Sequence, residues 1–598
     1  MTKFNEQQLQ AIQFFEGACG TTASPGSGKS TVLINRIKNL IEVHGEKEQD
    51  ILAISFTRNT ADELKKKLTK MGYPNVNTGT FHSVCSRILF QEGFDVSKLI
   101  PQWEVEKCFN SIQRNAEIKD IQSYIGYQKA HCKSYTDKNF VYKESIYTES
   151  EMRAFYKAYE ELKAKRKWYD LDDYLNVCLD VLQKNKDKYT YKFILVDEHQ
   201  DSNLVQNLLL KELCPSGNMF VVFDPKQSIF GFRGGNPDYA MNFDKYWKEP
   251  TIINMYMNYR STNNIVQKSN NFIRPYFKNY THYVDSEANN NVDGDITLNT
   301  YFDRESEGVE VVDKIEKLIE DGEKLSEIAV LYRLNSHSYH VENELKKRGI
   351  EYHIDNDSSF FKRNEIKAIL GYLKLLQNPH DESAMTTVFN ARFHPIKFLK
   401  KDVLENAVKY SGVNNLSLYE AFITMRHSES KVQRNVNEFE SIVSKLRLQL
   451  DKDISVVTLI SNIVKSFQFE RSITDKYKGD ELEERLNSID VLKSFVKGNN
   501  LEQFLAYVTQ GATTKKKVKK NAVRLMSAHG SKGLEFTHTY VIGTEDSKWP
   551  HERSSLDEEA RLFYVAVTRA KENLHLSQIG KGESGKGNQF ILEYFNNK

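Results

Sequence analysis

The sequence predicts an α/β protein built from two parallel-sheet domains, each carrying a mainly helical insertion. Three observations predict it. Short β-rich apolar runs recur in two separate sets. Such runs nearly vanish from about 91 to 187 and from about 380 to 514, where Lys/Glu-rich helical patterns take over. The turn "ASPGSGKS" at 23–30 opens the apolar helical run "STVLINRIKNLI". At 598 residues the chain is also too long for one core.

The elements follow in chain order. "GACGTT" before the turn has no Val, Ile or Leu and reads as a poor buried strand. "ILAISFT" (51–57), "KFILVDE" (192–198) and "NMFVVFD" (218–224) read as buried parallel strands. The second set is "EIAVLYR" (327–333), "AVRLMSAH" (522–529), "THTYVIG" (537–543) and "NLHLS" (573–577). The expected first domain comprises 1–90 and 188–272, with its insertion at 91–187; the second comprises 273–379 and 515–598, with its insertion at 380–514. The basic stretch "TTKKKVKK" (513–520) reads as a solvated linker or a phosphate-contacting loop.

Composition excludes some classes. With 27% charged residues, 39% apolar residues and a net charge of +2, the chain reads as a soluble globular protein. No run approaches the roughly 18 apolar residues of a membrane helix, and "MTKFNEQQLQAIQFF" lacks a signal-peptide pattern. The expectation is therefore a cytoplasmic protein without a membrane partner. Six cysteines without a C-x-x-C pair argue for reduced thiols and against a zinc or iron–sulfur site.

"ASPGSGKS" supports either a phosphate cradle or a plain Gly/Ser-rich turn. As a cradle, Ala23, Ser24, Pro25, Gly26, Ser27, Gly28, Lys29, Ser30 and Thr31 would wrap a nucleotide. Backbone N–H groups would close on the phosphates, Lys29 would reach the β/γ oxygens, and the Ser30 hydroxyl would ligate Mg²⁺. Such a cradle needs an acid at the end of another strand, and "ILVDEHQD" supplies Asp197 for Mg²⁺ and Glu198 for the attacking water. The pairing decides for a nucleotide cradle with Mg²⁺; ATP is the nucleotide implied by the resemblance that follows.

The motifs, in order and over nearly the whole chain, resemble the UvrD/PcrA/Rep group of superfamily 1 DNA helicases, with two RecA-like P-loop domains. "FNEQQLQAI" resembles that family's adenine-reading motif, with Gln8 as the reader. "SFTRNTADEL" and "TGTFHSVCSRIL" resemble its strand-holding motifs, and "DEHQDSN" its acidic box. In "DPKQSIFGFRGG" the resemblance implies that Gln227 senses the γ-phosphate. "NYRST" would supply Tyr259 to stack on adenine and Arg260 for phosphate. "HGSKGLEF" and "EEARLFYVAVTRAK" would place Glu535 near the ribose and make Arg569 the arginine finger. Phe56, Phe230 and Phe232 sit where the family stacks bases, His82 and Asn335 where it makes polar contacts, and Arg233 between strand and phosphate sites. The implied activity is an ATP-dependent translocase on single-stranded DNA that unwinds at single/double-strand junctions, 3′→5′.

Two departures stand out. His199 occupies the variable position of the acidic box and carries no expected chemistry. Where the family's second insertion has a Gly-Ile-Gly loop, this chain reads "ARFHPIKFLKKDV", with bulky Ile396 and Phe398 and no glycine, so duplex gripping there is in doubt. Alternative readings are a motor that strips proteins and unwinds poorly, and a nucleotide-gated DNA-binding module with little turnover.

Overall fold

The computed structural model describes residues 4–596 apart from 115, 142–144, 232–233, 355–359, 451, 453, 478, 497, 510–520, 546–547, 552–553 and 581–586. Phe232, Arg233 and the basic stretch 513–520 lie outside the described residues.

The first sheet has six strands: β1 (Cys19–Ala23), β2 (Ile51–Ile54), β3 (Asn77–Gly79), β4 (Phe193–Val196), β5 (Met219–Phe223) and β6 (Thr251–Met255). Their order is β3-β2-β4-β5-β1-β6 and every pairing is parallel. The apolar runs of β2, β4 and β5 are buried on both faces, as expected of strands covered by helices.

The expectation for residues 17–22 is overturned. β1 is fully buried between β5 and β6, with Gly20 opposite Val221 and Ile252. Its bulk comes from neighbours: a Cβ at Gly20 would lie 2.9 Å from Phe243 and 3.0 Å from Ile252. Small residues are required here because larger ones already fill the space.

Contact clustering divides the chain into two compact units. The first comprises Met1–Leu298, Ala528–Leu576 and Lys581–Lys598; the second comprises Asn299–Ser527 and Ser577–Gly580. The first contains the helices Gln102–Ile112, Ile118–Ala130, Glu149–Arg166 and Leu171–Lys184. The first three share a small core around Phe109, Ile121 and Phe155.

The remaining strands are β9 (Asp295–Tyr301), β10 (Ile328–Tyr332), β11 (Tyr352–Ile354), β12 (Val523–Ser527), β13 (Phe536–Ile542) and β14 (Ala570–Ile579). Parallel pairings join β11 to β12, β12 to β10, and β13 to β14. A minor two-stranded sheet pairs β7 (Met257–Asn258) with β8 (Glu287–Ala288).

In the second unit one hydrophobic core runs from Tyr339 to Val508, joining Ile369 and Tyr372 to Val388, Phe439 and Phe467. Of the two bulky residues of the glycine-free turn, Ile396 is fully buried in this core, whereas Phe398 is exposed. No helix among the described residues is long and apolar enough to cross a membrane.

Candidate active site

β1 leads into the loop 24–28 and then the helix α2 (Lys29–Glu42). The Ser24 N–H donates to Met255 O (3.0 Å), and the Ser27 N–H donates to Ser24 O (3.1 Å). Gly26 and Gly28 have φ of 73° and 82°, a conformation that glycine adopts without strain. A Cβ at Gly26 would lie 2.6 Å from both Arg260 Cβ and Asn258 Oδ1, so the loop lies tight against the segment after β7. Gly28 caps α2 without a side-chain bond, leaving first-turn N–H groups for an anion. Ser30 and Thr31 are exposed there, and the buried Ser27 hydroxyl has no protein partner. These features fit a phosphate.

The helix α1 (Glu6–Gln13) braces this loop. Gln8 completes a capping box with Asn5, and its Nε2 donates to Ser27 O (3.0 Å). Asn5 Nδ2 donates to the Tyr259 hydroxyl (2.9 Å), and the Tyr259 N–H donates to Gly26 O (3.0 Å). The Tyr259 ring is 45% exposed beside the phosphate loop, available for a purine face.

Asp197 and Glu198 follow β4. The Asp197 N–H continues the ladder to Ile54 O, whereas Glu198 turns left-handed at φ 53°. This φ is uncommon for a non-glycine residue and marks local strain. Lys29 Nζ lies 4.0 Å from Glu198 Oε1, and Gln200 Nε2 donates to Glu198 Oε2 (2.5 Å). Burial and the adjacent Glu198 charge push Asp197 up to about 7. Burial would raise Glu198 too, but Lys29 and Lys532 outweigh it and hold Glu198 down at about 2. The two acids are thus driven apart, with Glu198 the ionised one.

Behind them lies a hydrogen-bonded network. Arg569 Nη2 donates to Gln227 Oε1 (3.0 Å) and to Thr568 Oγ1 (3.1 Å), its Nη1 to Leu534 O (3.1 Å) and its Nε to Val565 O (2.9 Å). Gln227 Nε2 donates to Asp224 Oδ2 (2.7 Å). Arg569 is 1% exposed, and burial with nearby Arg260 lowers its pKa to about 9. Arg260 Nε donates to Glu535 Oε2 (2.7 Å) and its Nη1 to Thr568 O (3.2 Å). Glu535, expected near a ribose, here anchors Arg260. All of these residues belong to the first compact unit.

On the same unit, the rings of Phe56 and Phe230 stack at 5.4 Å and 19°. Phe56 and His82 line a groove of about 660 Å³ with Thr80, Gln122, Tyr127 and Asp172. Burial lowers the His82 pKa, favouring a neutral ring. Asn335 lies in the second unit, half-buried at the start of a 3-10 turn. His199 is fully buried, its pKa pushed down to about 3 by burial, with Ser202 Oγ 3.1 Å from Nδ1: a neutral packing residue.

Comparison with known proteins assigns the chain to a family. The profile of the UvrD/REP helicase N-terminal domain matches residues 4–248, and that of the UvrD-like helicase C-terminal domain matches residues 253–581. The chain belongs to the UvrD-like helicases. The ATP-dependent DNA helicase PcrA of Bacillus subtilis is 30% identical, over 99% of this chain and 86% of its own. PcrA of Staphylococcus epidermidis is 28% identical over 98% and 86%, and PcrA of Staphylococcus aureus 27% over 99% and 86%.

Sequence reasoning missed several residues of this UvrD-like site. Lys532 stands within the quoted "HGSKGLEF", yet its partners Asp201 and Gln227 are far away in sequence. Gln200 joins Glu198 to the Asp224 N–H (3.0 Å), and Asn258 Oδ1 accepts the N–H groups of Arg260 (2.7 Å) and Ser261 (2.9 Å). The remaining polar letters of "DEHQD" and "NYRS" were the available signal.

Proposed function

We propose that this chain is an ATP- and Mg²⁺-dependent DNA helicase that moves 3′→5′ along single-stranded DNA and opens duplex at single/double-strand junctions. One observation carries the reading: Lys29, Glu198, Gln227 and Arg569 converge in one network, and the Phe56–Phe230 stack adjoins it through Lys532 in the same unit. Lys29 and the N–H groups of α2 would hold the phosphates, with Tyr259 stacked on the base and Gln8 bracing the loop. Ser30 and Asp197 would hold Mg²⁺, which supplies charge neutralisation on the phosphate oxygens. Glu198, ionised and held by Gln200, would accept a proton from water; Arg569 and Arg260 would stabilise charge on the leaving phosphate. Phe56 and Phe230 would stack on bases, with His82 and Asn335 as polar contacts. We also propose the four-part organisation with core domains at 1–90 with 188–272 and 273–379 with 515–598, and helical insertions at 91–187 and 380–514.

The test is ATP turnover with and without single-stranded DNA, then unwinding of 3′- and 5′-tailed duplexes. Stimulated turnover with opening of the 3′-tailed substrate is expected. Turnover indifferent to DNA would overturn the reading, and preference for a 5′ tail would overturn the polarity. Phe56→Ala is expected to weaken strand binding by about 1–3 kcal/mol, read by fluorescence anisotropy.

A further inference from the structure

Lys532 touches both the Phe230 ring of the stacked pair and the carboxylate of Glu198. Its Nζ forms a short hydrogen bond to Asp201 Oδ2 and donates to Gln227 O (2.8 Å). The same atom lies 3.6 Å from Glu198 Oε2 and 5.3 Å from the centroid of the Phe230 ring, which is itself stacked on Phe56. The side chain is 9% exposed, so these contacts are little screened by water. Four attachments converge on one ammonium: a carboxylate that anchors it, a carbonyl beside the Gln227 side chain, the ionised Glu198, and an aromatic face.

We propose that Lys532 is a positioning residue that couples strand binding to hydrolysis, holding Glu198 in register according to where Phe230 lies. This rests on the function proposed above. The physical route is short. A base inserted between Phe56 and Phe230 must shift the Phe230 face, because rings with centroids 5.4 Å apart leave no room for a third between them. Lys532 is held to that face by cation–π attraction and to Asp201 by charge. A shift of its Nζ changes the pull on Glu198 Oε2, whose other holder is Gln200. Glu198 responds readily because its backbone is already strained at φ 53°. No residue needs to touch both DNA and water for the signal to pass.

The experiment is a double-mutant cycle on the full chain, using Phe230→Ala, Lys532→Met and the pair, with Lys532→Arg as the charge-preserving variant. The quantity read is the ratio of ATPase kcat with saturating oligo-dT to kcat without it, alongside KM for ATP and strand affinity. Wild-type stimulation tests the proposed function itself; without it, that reading fails before Lys532 is at issue. Given wild-type stimulation, Lys532→Met is expected to lower the ratio at least tenfold while KM and strand affinity stay within about threefold, with Lys532→Arg recovering a large part. Phe230→Ala is expected to lower the ratio in wild type and to have no further effect in Lys532→Met. Multiplying effects, or a Lys532→Met enzyme still stimulated as wild type, would overturn the proposal. Should Lys532→Met not fold, the same cycle is run with the uncharged Lys532→Gln, and multiplying effects there would overturn it equally.

Discussion

Two clusters in the first unit hold the same inventory, two lysines against three acids, and are built to opposite ends. In the helical region, Lys129 and Lys163 each reach Asp170, Asp173 and Glu160 at 2.6–2.9 Å. Both lysines are 5% exposed or less, and Asp170 and Asp173 also cap a helix reciprocally. Each ammonium donates to both Asp170 and Asp173 (2.6–2.7 Å). At the end of β4, Lys29 is 4.0 Å from Glu198, Lys532 is 3.6 Å from Glu198 and paired with Asp201, and Asp197 and Glu198 repel each other. The first cluster is a finished lock. In the second, the ion pairs of Glu198 with Lys29 and Lys532 are long, at 4.0 and 3.6 Å, and leave Lys29 for a nucleotide to engage. Geometry, rather than the presence of buried charge, separates a structural site from a reactive one.

Arg569 tests that distinction hardest, because it is as buried and as fully bonded as the lysines of the lock. Arg569→Ala is expected to lower kcat by about 10³–10⁵ with ATP affinity largely kept, measured by steady-state turnover and nucleotide titration. A fall in melting temperature with kcat unchanged would move Arg569 to the structural side. Next comes the paired exchange of one lysine from each cluster. Lys163→Met is expected to cost about 3–5 kcal/mol in denaturant unfolding, since it strands buried carboxylates. Lys29→Met is expected to lower turnover by about a hundredfold or more while unfolding changes little. Equal stability losses from the two would break the comparison.

The smallest effect is in pH dependence, where the clusters have opposite signs. Burial disfavours ionised Asp170, but Lys129 and Lys163 outweigh it and hold its carboxyl below the usual range. Its stabilising contribution is therefore present above the unfolded carboxylate pKa, near about 3.9, and is lost as pH falls below that. Asp197 is held up at about 7, so its protonated form is favoured in the fold. Its contribution is full below about 3.9 and is lost as pH rises to about 7. Without nucleotide, Asp197→Asn is expected to raise the melting temperature more at pH 8 than at pH 5. An equal rise at both would remove Asp197 from this role.

Much of this was legible in the sequence because it is local. β2, β4, β5 and β10 are continuous apolar runs, and Lys29 at a helix start and Asp197 and Glu198 at a strand end sit where motif spacing puts them. β1 was illegible because its bulk is borrowed from Phe243 and Ile252, far along the chain. The lock was missed for the same reason: Lys129 and Asp170 are 41 residues apart, and each alone looks like a solvated charge. Lys532 stood in a recognised motif, yet only folding reveals that it meets Asp201.

The contact at Gly26 has a mechanical consequence. Its α-carbon faces Arg260 Cβ and Asn258 Oδ1 with no room for a methyl group. The neighbouring Ser261 Oγ donates to Ala570 O (2.7 Å), and the Thr262 N–H donates to Lys571 O (2.9 Å). The loop at 24–28 and the start of β14 are therefore meshed like gear teeth, with residues 258–262 as the intermediate wheel. A loop that widened around a ligand would have no slack to absorb the movement locally, and the displacement would be delivered to β14 within two residues of Arg569.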